Sequence, residues 1–211
     1  MAENEKIPTP TLERLAMYLR VLTNLMNTGV RTVSSTHMEE HTGVNAAQFR
    51  KDLSFFGEFG RPGVGYNVES LHARIKEILK LHQPQRVLLV GAGNLGRALV
   101  GYPALAAEDF HIVAVFDNNP AKVGSELMHL TIDHVDSLVE RNRTLGARIG
   151  IIAVPAYAAQ QVAEQLVEAD VLAILNFAPV VLRLPPQVTV RNVDFVQELA
   201  VLSFYLPDQW A

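Results

Sequence analysis

The sequence contains no cysteine. That absence excludes disulfides, cysteine–zinc sites and any thiol-based switch. No apolar run approaches the roughly 18 residues that a membrane span requires. The first ten residues, MAENEKIPTP, are polar and mixed in charge, unlike a secretory signal. A cytoplasmic location without a membrane partner is therefore the expectation. Charge of one sign is not in excess either. The net charge is −4 over 211 residues, so composition alone does not announce nucleic acid. Residues 1–84 carry 10 Lys/Arg against 9 Asp/Glu, and residues 85–211 carry 8 against 13. What is present forms a core: 49% of residues are hydrophobic and 19% charged, enough for one large domain or two small ones.

The stretch from Arg86 to Asp117 organises the chain. Val87-Leu88-Leu89-Val90 is a short run of strand formers, followed at once by Gly91-Ala92-Gly93-Asn94-Leu95-Gly96. Leu95, Leu99 and Val100 then repeat at helical spacing, and Ile112 to Phe116 forms a second strand ending in Asp117. Strand, glycine turn, helix, strand and acid together predict a dinucleotide site, a far more specific signal than the glycines alone. Gly91 suits a tight turn, Gly93 lets backbone approach a pyrophosphate, and Gly96 lets the helix pack hard on the strand. Asp117, 21 residues after Gly96, is placed to accept from a ribose 2′-hydroxyl. A 2′-phosphate would meet that carboxylate as a like charge, and Asn118-Asn119 supply no Arg, so NAD(H) is favoured over NADP(H).

Before this stretch, Pro8 and Pro10 open a helix capped by Thr9 or Thr11, with Leu12, Leu15, Leu19, Leu22 and Met26 inward and Gly29 as its stop. Ser34-Ser35-Thr36 caps a second, short helix ending near His41, with Thr36 and Glu39 spaced as a capping box. Thr42 to Asn45 is a turn. The third helix, about Ala46 to Phe56, buries Phe49, Leu53 and Phe56 and exposes Gln48, Arg50, Lys51 and Phe55. This spacing fits a helix-turn-helix in which Gln48 meets a base edge and Arg50 and Lys51 meet bases or phosphates. An ordinary solvated charge run at Arg50-Lys51-Asp52 explains the same residues. Gly57 to Tyr66 suits a β-hairpin wing with Arg61 near its tip, reaching a minor groove. A fourth helix spans Val68 to His82, with Leu71, Ile75, Ile78 and Leu79 inward, and Gln83-Pro84-Gln85 is the linker. His37 and His41 stand at i, i+4, but without further ligands a surface role is the reading and no metal site is expected.

After Asp117, Asn119-Pro120 starts a short helix, Val123-Gly124 closes a turn, Leu127 to Leu130 is a strand and Val135 to Val139 a helix. Ile149 to Val154, Val171 to Leu175 and Val188 to Val190 are strands, with a helix through Val162, Leu166 and Val167. The alternation predicts an α/β fold with a doubly wound parallel sheet. Val154-Pro155 and Asn176-Phe177 fall at strand ends, where cofactor contact and plain turn chemistry explain them equally well. Asp194 caps a last helix that is apolar on most of its circumference. Such a helix wants either its own core or a second subunit.

In their order along the chain, several stretches resemble the Rex family of bacterial redox-sensing transcriptional repressors. They are Arg50-Lys51-Asp52-Leu53-Ser54 with Gly57, Gly63-Val64-Gly65-Tyr66, Gly91 to Gly96, Asn176-Phe177-Ala178-Pro179-Val180 and Asn192-Val193-Asp194-Phe195. The resemblance covers nearly the whole chain. It implies a winged-helix DNA-binding domain over 1–84, a Rossmann NAD(H)-binding domain over 85–193, and a dimerisation helix over 194–211 exchanged between subunits. It also implies a homodimeric repressor and not an enzyme. NADH and NAD⁺ are then sensed without being consumed, and NADH releases the protein from operator DNA. An inverted-repeat, A·T-rich duplex is the expected partner.

The resemblance further implies a switch through Arg20, Tyr102 and Asp194, with Tyr102 and Asp194 also near the cofactor. By themselves the three read as a surface charge, a core aromatic and a cap. NAD⁺ carries a cationic nicotinamide, so a pocket lined by Phe177 and Phe195 prefers neutral NADH. Two residues depart from the family pattern: Pro62 follows Arg61 where a second basic residue is usual, and Phe55 replaces a Tyr. The rival readings are an NAD-dependent oxidoreductase and a coenzyme A-binding module. Against the first, about 110 residues of Rossmann fold leave no substrate domain. Against the second, Asp117 opposes a ribose phosphate.

Overall fold

The computed structural model describes residues 7–57, 59 and 64–207. Arg61, Pro62, Gly63 and Trp210 lie outside the described residues. The chain folds as two compact units, Met1–Gln83 and Pro84–Ala211.

The first unit runs α1 (Thr9–Asn27), β1 (Thr32–Val33), α2 (Ser35–Thr42), α3 (Ala46–Ser54), β2 (Tyr66–Asn67) and α4 (Val68–Ile78). Pro10 lies in the first turn of α1, where its missing N–H costs nothing. The buried stripe of α1 follows a four-three repeat through Thr11, Leu15, Tyr18, Leu22 and Leu25, with Leu19 beside it. Leu12 and Met26, assigned inward from sequence, sit one residue off that stripe and are exposed. The predicted box between Thr36 and Glu39 does not form. Ser34 caps α2 instead, its Oγ accepting from His37 N at 3.0 Å, and Glu39 Oε2 accepts from Ala46 N at 3.0 Å across the turn. Asn45 caps α3 as expected, accepting from Gln48 N at 2.8 Å. The helix stops at Ser54, so Phe56 is only half-buried. Likewise α4 ends at Ile78, four residues before the predicted His82.

Tyr18 and Tyr66 pack edge-on against the Phe49 ring, at centroid distances of 4.8 and 5.3 Å. The predicted wing hairpin lies partly outside the described residues. Its described strand, β2, pairs with β1, with Val33 opposite Tyr66. At Gly65, φ is +87° and a Cβ would stand 2.7 Å from Val33 O, so only glycine fits this approach.

The second unit runs β3 (Gln85–Val90), α5 (Asn94–Val100), α6 (Pro103–Ala107), β4 (Phe110–Asp117), β5 (Glu126–Leu127), β6 (Leu130–His134), a 3₁₀ turn (Val135–Ser137), α7 (Leu138–Leu145), β7 (Ile149–Ile152), α8 (Ala156–Glu168), β8 (Ala173–Asn176), β9 (Thr189–Asn192) and α9 (Phe195–Ser203). The sheet order is β5-β6-β4-β3-β7-β8-β9, parallel throughout except between β5 and β6. Alternate residues of β3 feed two cores. Leu88 and Val90 pack with Leu138 of α7 and Ala159, Val162 and Leu166 of α8. Val87 and Leu89 pack on the other face, with Leu99 and Val100 of α5. The sheet is doubly wound, and the chain reverses direction of travel between β3 and β7.

Three local assignments change. The segment after Pro120 is a turn and not a helix. The single strand predicted over 127–130 is a hairpin, with Met128 at φ +55° in its turn. The helix predicted over 135–139 begins as 3₁₀ and continues as α7 to Leu145.

Candidate functional site

A cleft of about 640 Å³ opens at the carboxyl ends of β3 and β7, where the winding reverses. The glycine turn forms one wall, and its three glycines have different causes. Gly91 has φ +109° and a Cβ there would stand 2.3 Å from Ala153 O. At Gly96 a Cβ would stand 1.9 Å from Gly91 O, so this glycine seats α5 on the turn itself, with the Leu89 side chain at 3.6 Å behind. Gly93 is different. A Cβ there meets no atom within 4 Å, and the residue faces the cleft. Asn94 and Leu95 share this wall, while Ala92 is buried behind it.

Asp117 forms the floor at the end of β4, almost wholly buried. Its Oδ2 accepts from Ala92 N at 2.8 Å and from Lys122 Nζ at 2.9 Å, and its Oδ1 accepts from Asn119 N at 2.9 Å. Burial pushes this carboxyl up. The bonds from Asn119, Lys122 and Ala92 outweigh that and hold it below the usual carboxylate range. Three donors fill three of about four lone-pair sites, which leaves an acceptor for one hydroxyl. Sequence reasoning missed Lys122. It lies five residues beyond Asp117 in an irregular turn, so no helical or strand period links the two. Val154 and Pro155 line the wall beside Gly91, and Tyr157 and Gln161 of α8 also line the cleft.

Asn176 is not brought into this cleft. It is fully buried, and its Nδ2 donates to Ala178 O at 3.0 Å and to Asn192 Oδ1 at 2.9 Å, while its Oδ1 accepts from Ala178 N. These bonds staple the ends of β8 and β9. Phe177 instead turns toward α9, its ring centroid 6.0 Å from that of Phe195. Asp194 caps α9, its Oδ1 accepting from Val196 N and Gln197 N. Tyr102 is exposed at the start of α6, at a small groove apart from the cleft. On α9, Phe195, Val196, Leu199, Val201 and Leu202 are all exposed.

In the first unit, α2, the Gly43 turn and α3 form a helix-turn-helix. Lys51 on α3 and Phe55 just beyond its last residue are exposed, and Arg20 is exposed on α1. Arg50 donates to Ser35 Oγ at 2.7 Å and Gln48 Nε2 to Asp52 Oδ1 at 2.8 Å, so both side chains are braced against their own unit. Arg61 lies outside the described residues. Asp52 is no part of a solvated charge run: it is fully buried. Arg14 grips it through Nε at 2.6 Å and NH2 at 2.7 Å, Tyr18 donates at 2.8 Å and Thr11 at 3.2 Å. Burial raises the Asp52 carboxyl, but the bonds from Arg14, Gln48 and Tyr18 hold it below its ordinary value. Burial, with the bond to Asp52, drives the Tyr18 hydroxyl well above the usual phenol range.

Two family models match the chain. One described as "Putative DNA-binding protein N-terminus" covers residues 6–54, and one described as "CoA binding domain" covers residues 82–180. Over 199 residues the chain is 49% identical to the redox-sensing transcriptional repressor Rex of Desulfitobacterium hafniense, covering 94% of this chain and 95% of that one. The chain belongs to the Rex family. Rex of Carboxydothermus hydrogenoformans is 48% identical, over 94% of this chain and 96% of that one. Among solved structures, the Rex-family repressor RSP in complex with β-NAD⁺ and operator DNA is similar with a TM-score of 0.89. It is 34% identical over 94% of this chain and 91% of that one. RSP in complex with β-NADH gives a TM-score of 0.85 at 32% identity, over 95% and 94%. These Rex relatives are named as repressors and not as enzymes.

Proposed function

We propose that the protein represses transcription as a homodimer that grips operator DNA with α3 and is released when NADH fills the cleft of the second unit. The observation that carries this reading is the cleft wall itself. Gly93 has space that no protein atom claims, while Asp117 is ionised, buried and one acceptor short of saturation. A pyrophosphate fits beside the first and an adenosine ribose beside the second. The RSP complexes, one with β-NAD⁺ and operator DNA and one with β-NADH, support the same assignment.

In this reading the Gly91–Gly96 turn holds the pyrophosphate, Asp117 the ribose, and Val154 and Pro155 the wall beside the turn. The bound cofactor supplies one thing, a nicotinamide that is cationic when oxidised and neutral when reduced. Phe177 and Phe195 offer an apolar surface that favours the neutral ring, because an unpaired cation there is costly. Asp194 lies directly before Phe195 and exchanges partners, Arg20 in the DNA-binding state and the Tyr102 hydroxyl in the released one. The exposed apolar side chains of α9 support its reading as the dimerisation helix, and two-fold symmetry then predicts an inverted-repeat operator.

Fluorescence anisotropy of a labelled A·T-rich inverted-repeat duplex at fixed salt tests the reading, because phosphate contacts make affinity salt-dependent. NADH is expected to release the duplex and NAD⁺ to leave it bound. Binding indifferent to both ligands removes the sensor, and normal release by a Tyr102→Phe protein removes the switch.

Asp117→Asn is expected to weaken NADH by about tenfold or more, since bonds to a charged acceptor are worth about 1.5–3 kcal/mol. It should also narrow the preference for NADH over NADPH, because the like charge facing a 2′-phosphate is gone. Calorimetric titration with both cofactors checks this. An unchanged ratio would show that the ribose lies elsewhere.

A further inference from the structure

On α2 the His37 and His41 rings converge. Their Nε2 atoms are 2.9 Å apart, and their ring centroids 4.6 Å. Spacing alone places the two on one helix face; the structure adds that their Nε2 atoms meet within hydrogen-bond distance on the open surface. In the metal-free state one ring donates its Nε2–H to the other. If that ring moves its proton to Nδ1, both rings stay neutral and both Nε2 lone pairs become available.

We propose that His37 and His41 form a binding site for a divalent transition-metal ion, with copper(II) and nickel(II) as the preferred occupants. At metal–nitrogen distances of about 2.0–2.1 Å, two nitrogens 2.9 Å apart subtend roughly 90° at the ion. That is the angle between neighbouring ligands in a square-planar or octahedral set, and it is narrower than a tetrahedral zinc site requires. Copper(II) and nickel(II) take square-planar or tetragonal nitrogen sites, and copper(II) stands highest in affinity among the first-row divalent ions. Among the described residues no third His, Cys, Asp or Glu completes the set, so water fills the other positions. Residues 37–41 also spell H-x-x-E-H, a spacing that zinc peptidases use. With no third protein ligand and no enclosing cleft, the pair supports binding and not hydrolysis.

The ion has a mechanical consequence. α2 is eight residues long and buries one apolar side chain, Met38, so little packing holds it. Bridging residues 37 and 41 ties its successive turns together. It therefore stabilises the first helix of the helix-turn-helix in proportion to the ion's binding.

Copper(II) and nickel(II) titrated separately into full-length, metal-free protein test the site. Calorimetry should show one tight equivalent, and copper electron paramagnetic resonance should show coordination by two imidazole nitrogens. His41→Ala and His37→Ala should each abolish that equivalent. Both side chains are at the surface, so unchanged thermal melts confirm that the variants fold. His111→Ala serves as the control and should keep it. Nickel should slow hydrogen exchange at the α2 amides in the wild type and in neither variant. A tight equivalent that survives His41→Ala, or α2 exchange indifferent to the ion, overturns the proposal.

Discussion

Gly96→Ala is expected to abolish NADH binding while leaving the first unit folded. The added methyl would sit 1.9 Å from Gly91 O, and that neighbour is backbone, unable to swing aside as a side chain does. Either α5 lifts from the turn or the turn opens, at about 3 kcal/mol or more. The turn cannot easily open, because Gly91 is itself seated against Ala153 O on the neighbouring strand's extension. Gly93→Ala is the informative companion. Its backbone is extended and its Cβ meets nothing, so this variant should melt like the wild type. Any affinity it loses then comes from the ligand alone. Calorimetry with NADH and thermal melts of both variants separate the cases. A Gly96→Ala protein that binds NADH within about threefold of wild type would show that the turn tolerates far more displacement than its packing implies.

Asp52→Ala should unfold the first unit or leave it marginal. The substitution strands Arg14, whose side chain is only 23% exposed, and removes the acceptor shared by Thr11, Tyr18 and Gln48. Breaking such a buried pair from one side costs about 3–5 kcal/mol, a large part of the stability of a small unit. The pH dependence has a definite sign. The folded carboxyl lies below its unfolded value of about 3.9, so its contribution is complete above that pH. It is lost as pH falls through the lowered folded value. Hydrogen exchange resolved by unit, at pH 7 and near pH 3, should show the wild-type first unit weakening in acid. Asp52→Asn should already be weak at neutral pH and lose less on acidification. Equal acid sensitivity in the two proteins would place the carboxylate outside the stability of the unit.

How far these features could be read from sequence depends on whether a periodicity carries them. The β3–turn–α5–β4 frame was legible because its signals are local and independent: apolar run, glycines, helical spacing, terminal acid. Asp52 carried a readable signal as well, since Phe49, Asp52 and Leu53 share the inward face of α3 at i, i+3 and i+4. Its neighbours Arg50 and Lys51 disguise it as one member of a surface charge run. Counting leucines and methionines on α1 favours Leu12 and Met26 and passes over Tyr18, which is the residue that fills the core. β1 is two residues long, below any period, and Lys122 reaches Asp117 from an irregular turn. Asn176 illustrates an ambiguity that sequence leaves open. A polar residue at a strand end suits ligand contact and turn chemistry equally, and its amide is consumed by the Ala178 backbone and the Asn192 side chain.

The seven-stranded sheet also governs how molecules of this protein meet one another. At one margin β5 is two residues long and bears Glu126; at the other β9 is four residues long and bears Arg191 at its third position. Short, charged borders give a neighbouring chain little backbone to zip onto, so runaway β-aggregation is discouraged at both margins. The exposed apolar side chains of α9 are a different kind of surface: they offer side chains and no open backbone ladder to extend. In the proposed homodimer that face closes on its own copy, so assembly stops at a fixed size.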